Sequence, residues 1–265
     1  MTQFALERKH REAFHQRGFC VIPRLFSAEE IEPLRAVTEL MMADDPHRLD
    51  RHDSKGLLTK LSLRNALGED AYSATVRCER VARSMEALLG SEVYHYHHKV
   101  MIKEPAVGGA WEWHQDYGYW YQNGCLRPDM ASCMIALTSA NESNGCLEVI
   151  PGSHSFGRVD HIDVNDQVCA DPARVDAVLS RYPSEMCVIE AGDAVFFHCN
   201  LLHRSLPNRS SEPRLSLINC YNTKENDPIR KHHHPSYSPL AIAADAEVLV
   251  AARRDLARLR GGDRT

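Results

Sequence analysis

The sequence predicts a mainly β fold, a sandwich or jelly-roll barrel with flanking helices. Three observations carry this. Short runs rich in aromatic and β-branched residues recur from residue 93 onward. Glycine, proline and asparagine turn signals separate them. Helical periodicity is concentrated in the first 90 residues, as expected for helices packed beside a β core.

Taken in order, Phe4, Leu6, Ala13 and Phe14 form an apolar stripe of helical type, and Gly18 is its stop. Phe19-Cys-Val-Ile22 reads as a short strand. Ser27-Ala-Glu-Glu30 has the form of an N-cap with glutamate at N3, and Ile31, Leu34, Val37, Thr38 and Met41 follow at helical spacing. Residues 46–75 are polar and mixed, with Asp53-Ser-Lys-Gly56 as a loop signal, and a helix is predicted over about 76–89, ending near Gly90. Val93–Ile102 is strongly strand-like. Further strands are predicted near 111–118, 131–138, 146–150, 186–190, 194–198 and 214–222, with a helix inserted at 172–181. Gly108-Gly109, Asn144-Gly145, Pro151-Gly152, Ala191-Gly-Asp193 and Pro207-Asn208 punctuate them.

At 265 residues the chain fits one large domain, since β barrels and sandwiches run to about 200–250 residues undivided. The expected organisation is one domain over 1–265. A mostly helical part (1–90) packs on a core (91–222), and an extension follows (223–265). A net charge of −5 argues against a nucleic-acid surface while leaving room for a local basic pocket. Nine cysteines, an odd number with no CxxC pair, read as buried free thiols in a reducing compartment. The charged N-terminus has no apolar signal core, and no run approaches the roughly 18 apolar residues of a membrane span. The expectation is a cytoplasmic monomer or homodimer acting on a small molecule, with neither nucleic acid nor membrane as a partner.

Chemistry concentrates in Trp111-Glu-Trp-His-Gln-Asp-Tyr117. On a strand, residues two apart share a face, so His114 and Asp116 would converge while Gln115 turned away. Alone the pair is a weak motif. Downstream, Ala191-Gly-Asp begins an apolar strand that leads to His203, and Arg214 stands eleven residues further on. A turn at Pro207–Pro213 would put His203 and Arg214 on adjacent antiparallel strands. Two histidines and one carboxylate leave coordination positions open, an arrangement suited to non-haem Fe(II) oxygenases. Arginine forks onto a carboxylate and stays charged when buried, which suits the distal carboxylate of 2-oxoglutarate.

Most of the fifteen histidines have ordinary readings. His198 reads as a core residue and His154 as a loop-fixing hydrogen bonder. Only one of His97 and His98 can face a cavity. His232-His-His234 reads as a basic loop, with metal capture or recognition of an acidic substrate as alternatives. Tyr117, Tyr119, Trp120 and Tyr121 follow the motif directly and are candidates for a substrate wall, Tyr117 and Trp120 foremost.

Several segments together carry a resemblance: His114-x-Asp116, Asn144-Gly-Cys-Leu-Glu-Val-Ile-Pro-Gly-Ser-His154, Gly192-Asp-Ala-Val-Phe-Phe-His198, and His203-x-Ser-x-Pro-Asn208 followed by Arg214. They resemble the phytanoyl-CoA dioxygenase family, which includes ectoine hydroxylase and amino-acid hydroxylases. The similarity runs from about residue 17 to 222 and is densest over 93–222. It implies a double-stranded β-helix core forming one oxygenase domain, with Fe(II), 2-oxoglutarate and O₂. His114, Asp116 and His203 would be the catalytic metal ligands and Arg214 the cosubstrate anchor. Ser205, Ser132 and His97 fall where relatives place polar groups near the cosubstrate, although some relatives have glutamine in place of His97. Asp116 favours hydroxylation or another oxidation over halogenation, because related halogenases have a small residue there. The activity implied is oxidation of a small metabolite with release of succinate and CO₂. The alternative is a zinc or manganese cupin-like hydrolase or isomerase using the same three ligands without need of Arg214.

Overall fold

The computed structural model describes residues 5–42 and 45–261; Phe4 of the first apolar stripe lies outside them. Helix α1 (Arg8–Arg17) stops at Gly18, which takes the left-handed conformation at φ +82°. Strand β1 (Phe19–Ile22) follows, then α2 (Ala28–Met41). A capping box starts α2: the Glu30 N–H donates to Ser27 Oγ and the Ser27 N–H to Glu30 Oε2. The polar stretch after it holds two elements its composition did not announce, β2 (Arg51–His52) and β3 (Leu58–Arg64). Asp53 makes the intervening loop by accepting the N–H groups of Lys55 and Leu57. The helix expected over 76–89 is two helices, α3 (Ala71–Arg77) and α4 (Glu79–Leu89). Cys78 is extended between them, and its backbone bridges to Ala243.

The remaining elements build two facing antiparallel sheets. They are β4 (Val93–Lys103), β5 (Trp111–His114), α5 (Asp116–Gln122), β6 (Met130–Ala136), β7 (Leu147–Val149), β8 (His161–Val164), β9 (Gln167–Ala170), α6 (Pro172–Leu179), β10 (Glu185–Cys187), β11 (Ala194–His198), β12 (His203–Ser205), β13 (Arg214–Thr223) and α7 (Ala246–Arg260). The large sheet runs β1-β11-β6-β13-β4-β3-β2 and the small one β10-β7-β12-β5, with β8-β9 as a separate hairpin. This is the double-stranded β-helix expected, with helices flanking it. The strand expected over 111–118 stops at His114, where the backbone turns into α5. The β8-β9 hairpin and α7 were not anticipated.

The large sheet separates two cores because successive side chains point to opposite faces. Outward go Val100 and Ile102 of β4, Cys133 and Ile135 of β6, Phe196 of β11, and Leu215 and Leu217 of β13. They meet Leu34, Val37, Val81, Met85 and Val248 from α2, α4 and α7. Inward go Met101, Met134, Val195, Phe197 and Ile218, which meet Leu147, Val149 and Cys187 of the small sheet. All nine cysteines are buried and unpaired. No described helix is long and apolar enough to cross a membrane.

Two expectations follow. Phe196 is fully buried in the outer core, so Phe196→Ala should cost about 3–5 kcal/mol, read as a lowered urea midpoint. Burial holds His198 at about 4, His95 at about 3 and His98 at about 4. The unfolded chain takes up protons at these residues from about pH 6.5 downward. Stability should therefore fall as pH drops from 6.5 towards 4, and a urea series at pH 7.5, 6 and 5 measures it.

Candidate metal centre

The three expected ligands converge, by a route that differs in one step from the sequence argument. His203 opens β12 and stands directly opposite His114, the last residue of β5. Their ring centroids are 4.0 Å apart. Asp116 reaches the same point from the first turn of α5 rather than from the strand. Its Oδ1 lies 3.8 Å from His114 Nε2. Gln115 makes the corner and turns away as expected. Its amide donates to the carbonyls of Gly157 and Asn200, and its oxygen accepts the Val159 N–H.

Each donor is aimed. His114 Nδ1 is 2.8 Å from the Glu112 carbonyl, and His203 Nδ1 is 2.9 Å from the Leu201 carbonyl. A carbonyl only accepts, so both Nδ1 atoms carry hydrogen and both Nε2 lone pairs face the centre. Burial holds both imidazoles below their ordinary range; His203 adds to this at His114, and Asp116 opposes it at His203. Ser132 Oγ donates to Asp116 Oδ2 at 3.0 Å and leaves Oδ1 for the centre. One ligand atom from each of the three residues falls within a 4.8 Å group. Two neutral imidazoles and a carboxylate with open positions fit a ferrous ion.

On one side of the triad, a narrow cavity between the sheets is lined by Met101, Met134, Leu147, Phe197, Ser205 and Arg214 among others. Arg214 heads β13 in the large sheet, whereas His203 lies in the small one. The two residues therefore face each other across the barrel, and the expectation of adjacent strands is corrected. Arg214 donates to the Gly145 carbonyl, while its Nε is buried without a partner among the described residues. Gly145 sits at φ +73°, and a Cβ there would lie 2.0 Å from the Leu206 carbonyl oxygen, so only glycine can present that carbonyl.

Sequence reasoning missed Lys103. It is the cross-strand neighbour of Arg214, fully buried, and its Nζ donates to the Ser205 and Leu206 carbonyls. Burial and the adjacent guanidinium push it well below its ordinary range, and burial holds Arg214 at about 10. Two basic groups side by side in a dry interior are unfavourable alone and call for an anion. The available signal was a single cation in the apolar run Val100-Met-Ile-Lys103.

On the other side of the triad lies a cavity of about 230 Å³. Its walls include Leu61, Leu63, Trp111, Tyr119, Trp120 and His97. Lys99, Trp111 and His114 line both cavities. Trp120 is where the wall was expected. Tyr117 is not: its hydroxyl donates to the Cys125 carbonyl in the core, and Tyr119 lines the cavity instead. His97 was expected beside the cosubstrate but faces this second cavity, stacked on His234 at 4.7 Å. The alternation of β4 sends His97 and Lys99 to one end of the inner face and Lys103 to the other. His98 points away and pairs with His95 at 3.0 Å. His154 fixes a loop through the His15 carbonyl, and His198 packs near Phe14.

His232, His233 and His234 form a second group within 4.8 Å. His234 is buried and bonded to Asn65 Oδ1, whereas His233 is exposed where it lines the cavity. A larger cleft of about 660 Å³, between Phe156–Asp160 and α6, shares no lining residue with either cavity.

Comparison with known proteins agrees with this geometry. The chain is 29% identical over 238 residues to the ectoine dioxygenase of Bordetella bronchiseptica, covering 84% of this chain and 77% of that one. It is 29% identical over 203 residues to the L-proline trans-4-hydroxylase of Streptomyces griseoviridis, covering 71% and 74%. EctD from S. alaskensis with 2-oxoglutarate and 5-hydroxyectoine has the same fold, with a TM-score of 0.77 at 22% identity over 90% of this chain and 88% of that one. The epimerase SnoN, in complex with Fe3+, alpha ketoglutarate and nogalamycin RO, does likewise, with a TM-score of 0.72 at 20% identity over 89% and 93%. Residues 14–216, which contain all three converging ligands and Arg214, match the phytanoyl-CoA dioxygenase (PhyH) family, and the chain belongs to it.

Proposed function

We propose that His114, Asp116 and His203 hold Fe(II), that Arg214 with Lys103 behind it binds the distal carboxylate of 2-oxoglutarate, and that the second cavity takes the molecule oxidised. The chain is an Fe(II)- and 2-oxoglutarate-dependent dioxygenase of a small molecule, the activity of its family and relatives. The observation that carries the assignment of residues is the pairing of an aimed His-Asp-His group with two buried cations that have no carboxylate within ion-pair distance among the described residues. A zinc or manganese hydrolase or isomerase that works without 2-oxoglutarate would have no use for that cradle.

Bound at the triad, iron and its cosubstrate supply the oxidising chemistry with O₂, releasing succinate and CO₂. The protein orients and excludes water. The Glu112 and Leu201 carbonyls hold the imidazoles in the ligating tautomer, and Ser132 holds Asp116 from behind. Arg214, gripped by Gly145, lines the cavity with its Nε unpartnered among the described residues, and Ser205 lines the same wall. Met134, Leu147 and Phe197 keep that wall dry. Trp120, Trp111 and Tyr119 form the apolar side of the second cavity, whose size suits a small polar metabolite.

His114→Ala should lose bound iron and bring 2-oxoglutarate turnover to background, measured by metal content and succinate formation; full turnover with added iron would overturn the ligand assignment. Arg214→Met leaves a carboxylate without its partner, a loss of about 2–5 kcal/mol. The KM for 2-oxoglutarate should rise roughly thirtyfold or more, with iron content unchanged.

A further inference from the structure

We propose that the molecule oxidised is a small carboxylate and that Lys99 anchors it. This rests on the assignment of the triad to iron and of the Arg214 cradle to 2-oxoglutarate. Lys99 projects from β4 into the space between the two cavities, with its side chain only 15% exposed. Its ion-pair contact among the described residues is Asp116, with Nζ 4.0 Å from Oδ1. That oxygen is the one Ser132 leaves free for the centre. Once Asp116 serves a divalent ion, Lys99 stands beside further positive charge without a counter-ion, in surroundings where an unpaired charge is poorly tolerated.

A charge count gives the sign of the missing partner. The ion brings two positive charges and Asp116 one negative. 2-Oxoglutarate brings two negative charges and Arg214 one positive. Lys103, beside Arg214, adds one more positive charge to the cradle. The balance stays positive, and of these basic side chains Lys99 is the one that lines both cavities. A carboxylate lowers the excess, a neutral molecule leaves it, and a cation adds to it. At the same cavity Arg51 stands with Asp166, which is bonded to His52 at 2.6 Å. The apolar flank of Trp111, Trp120 and Leu61 takes the carbon skeleton, and an anchor beside Asp116 sets carbons near the carboxylate over the triad.

The test is anaerobic calorimetric titration of the protein loaded with Fe(II) and 2-oxoglutarate. The probes are the standard L-amino acids, ectoine and short aliphatic acids, each against its primary amide, with substrate-stimulated succinate formation as a second readout. At least one acid should bind, and its amide should bind tenfold or more weakly. Lys99→Gln should abolish that preference and Lys99→Arg keep it. Both variants should melt as the parent does and bind 2-oxoglutarate within about twofold of it. The proposal is overturned if none of the acids binds, if acid and amide bind alike, or if Lys99→Gln weakens 2-oxoglutarate instead of the acid. A parent protein that fails to bind 2-oxoglutarate at all would strike the oxygenase assignment itself, a separate result.

Discussion

The site depends on one backbone register, the pairing of β12 with β5 that sets His203 opposite His114. A slip of β12 by one residue would turn His203 to the other face of the small sheet, away from His114. The ladder is short, so other contacts hold it. Ser205 of β12 pairs across to Trp111, with a shift in register between His203 and Ser205, and β7 pairs along the other edge of β12. The Gln115 amide then ties the end of β5 to the segments around Gly157 and Asn200. Asp116 is therefore placed by three constraints meeting at one corner, and the geometry needs no continuous strand.

The parts of the fold visible in the sequence were those where local and global signals agree. Phe19–Ile22, the Ser27 cap, Val93–Lys103 and the segment headed by Arg214 each have a strong period or a strong punctuation mark. β3 was hidden because its alternation, Leu61 and Leu63 against Lys60 and Ser62, sits in a polar neighbourhood. The helix around residue 78 was read as one because nothing in its composition announces the bridge from Cys78 to Ala243, a contact 165 residues away. At the site, spacing within the chain revealed the ligands and Arg214. Lys103 and Lys99 became meaningful only when β4 was laid against β13 and the triad. Tyr117 and Tyr119 cannot be told apart by type, and the turn into α5 decides which one lines the cavity.

Lys103 and Arg214 also explain why the barrel tolerates an unfavourable arrangement. Neighbouring basic groups without solvent weaken a fold. Both are held by main-chain carbonyls, of Ser205 and Leu206 for the lysine and of Gly145 for the arginine. Those carbonyls offset part of the cost without cancelling the charge, so the attraction for a dianion survives. The glycine is fixed by the same logic, since any side chain there would push the Leu206 carbonyl out of reach.

The two-sided large sheet has a consequence for how such a protein changes over time. Its outward side chains meet the helices and hold the structure together, while its inward ones meet the small sheet and line the cavities beside the triad. Neighbouring residues on one strand thus answer to separate demands: Val100 to folding, and Lys99 or Met101 to whatever enters the barrel. A lineage built on this scaffold can exchange one inward side chain at a time, retuning its chemical appetite while the helical face stays as it was.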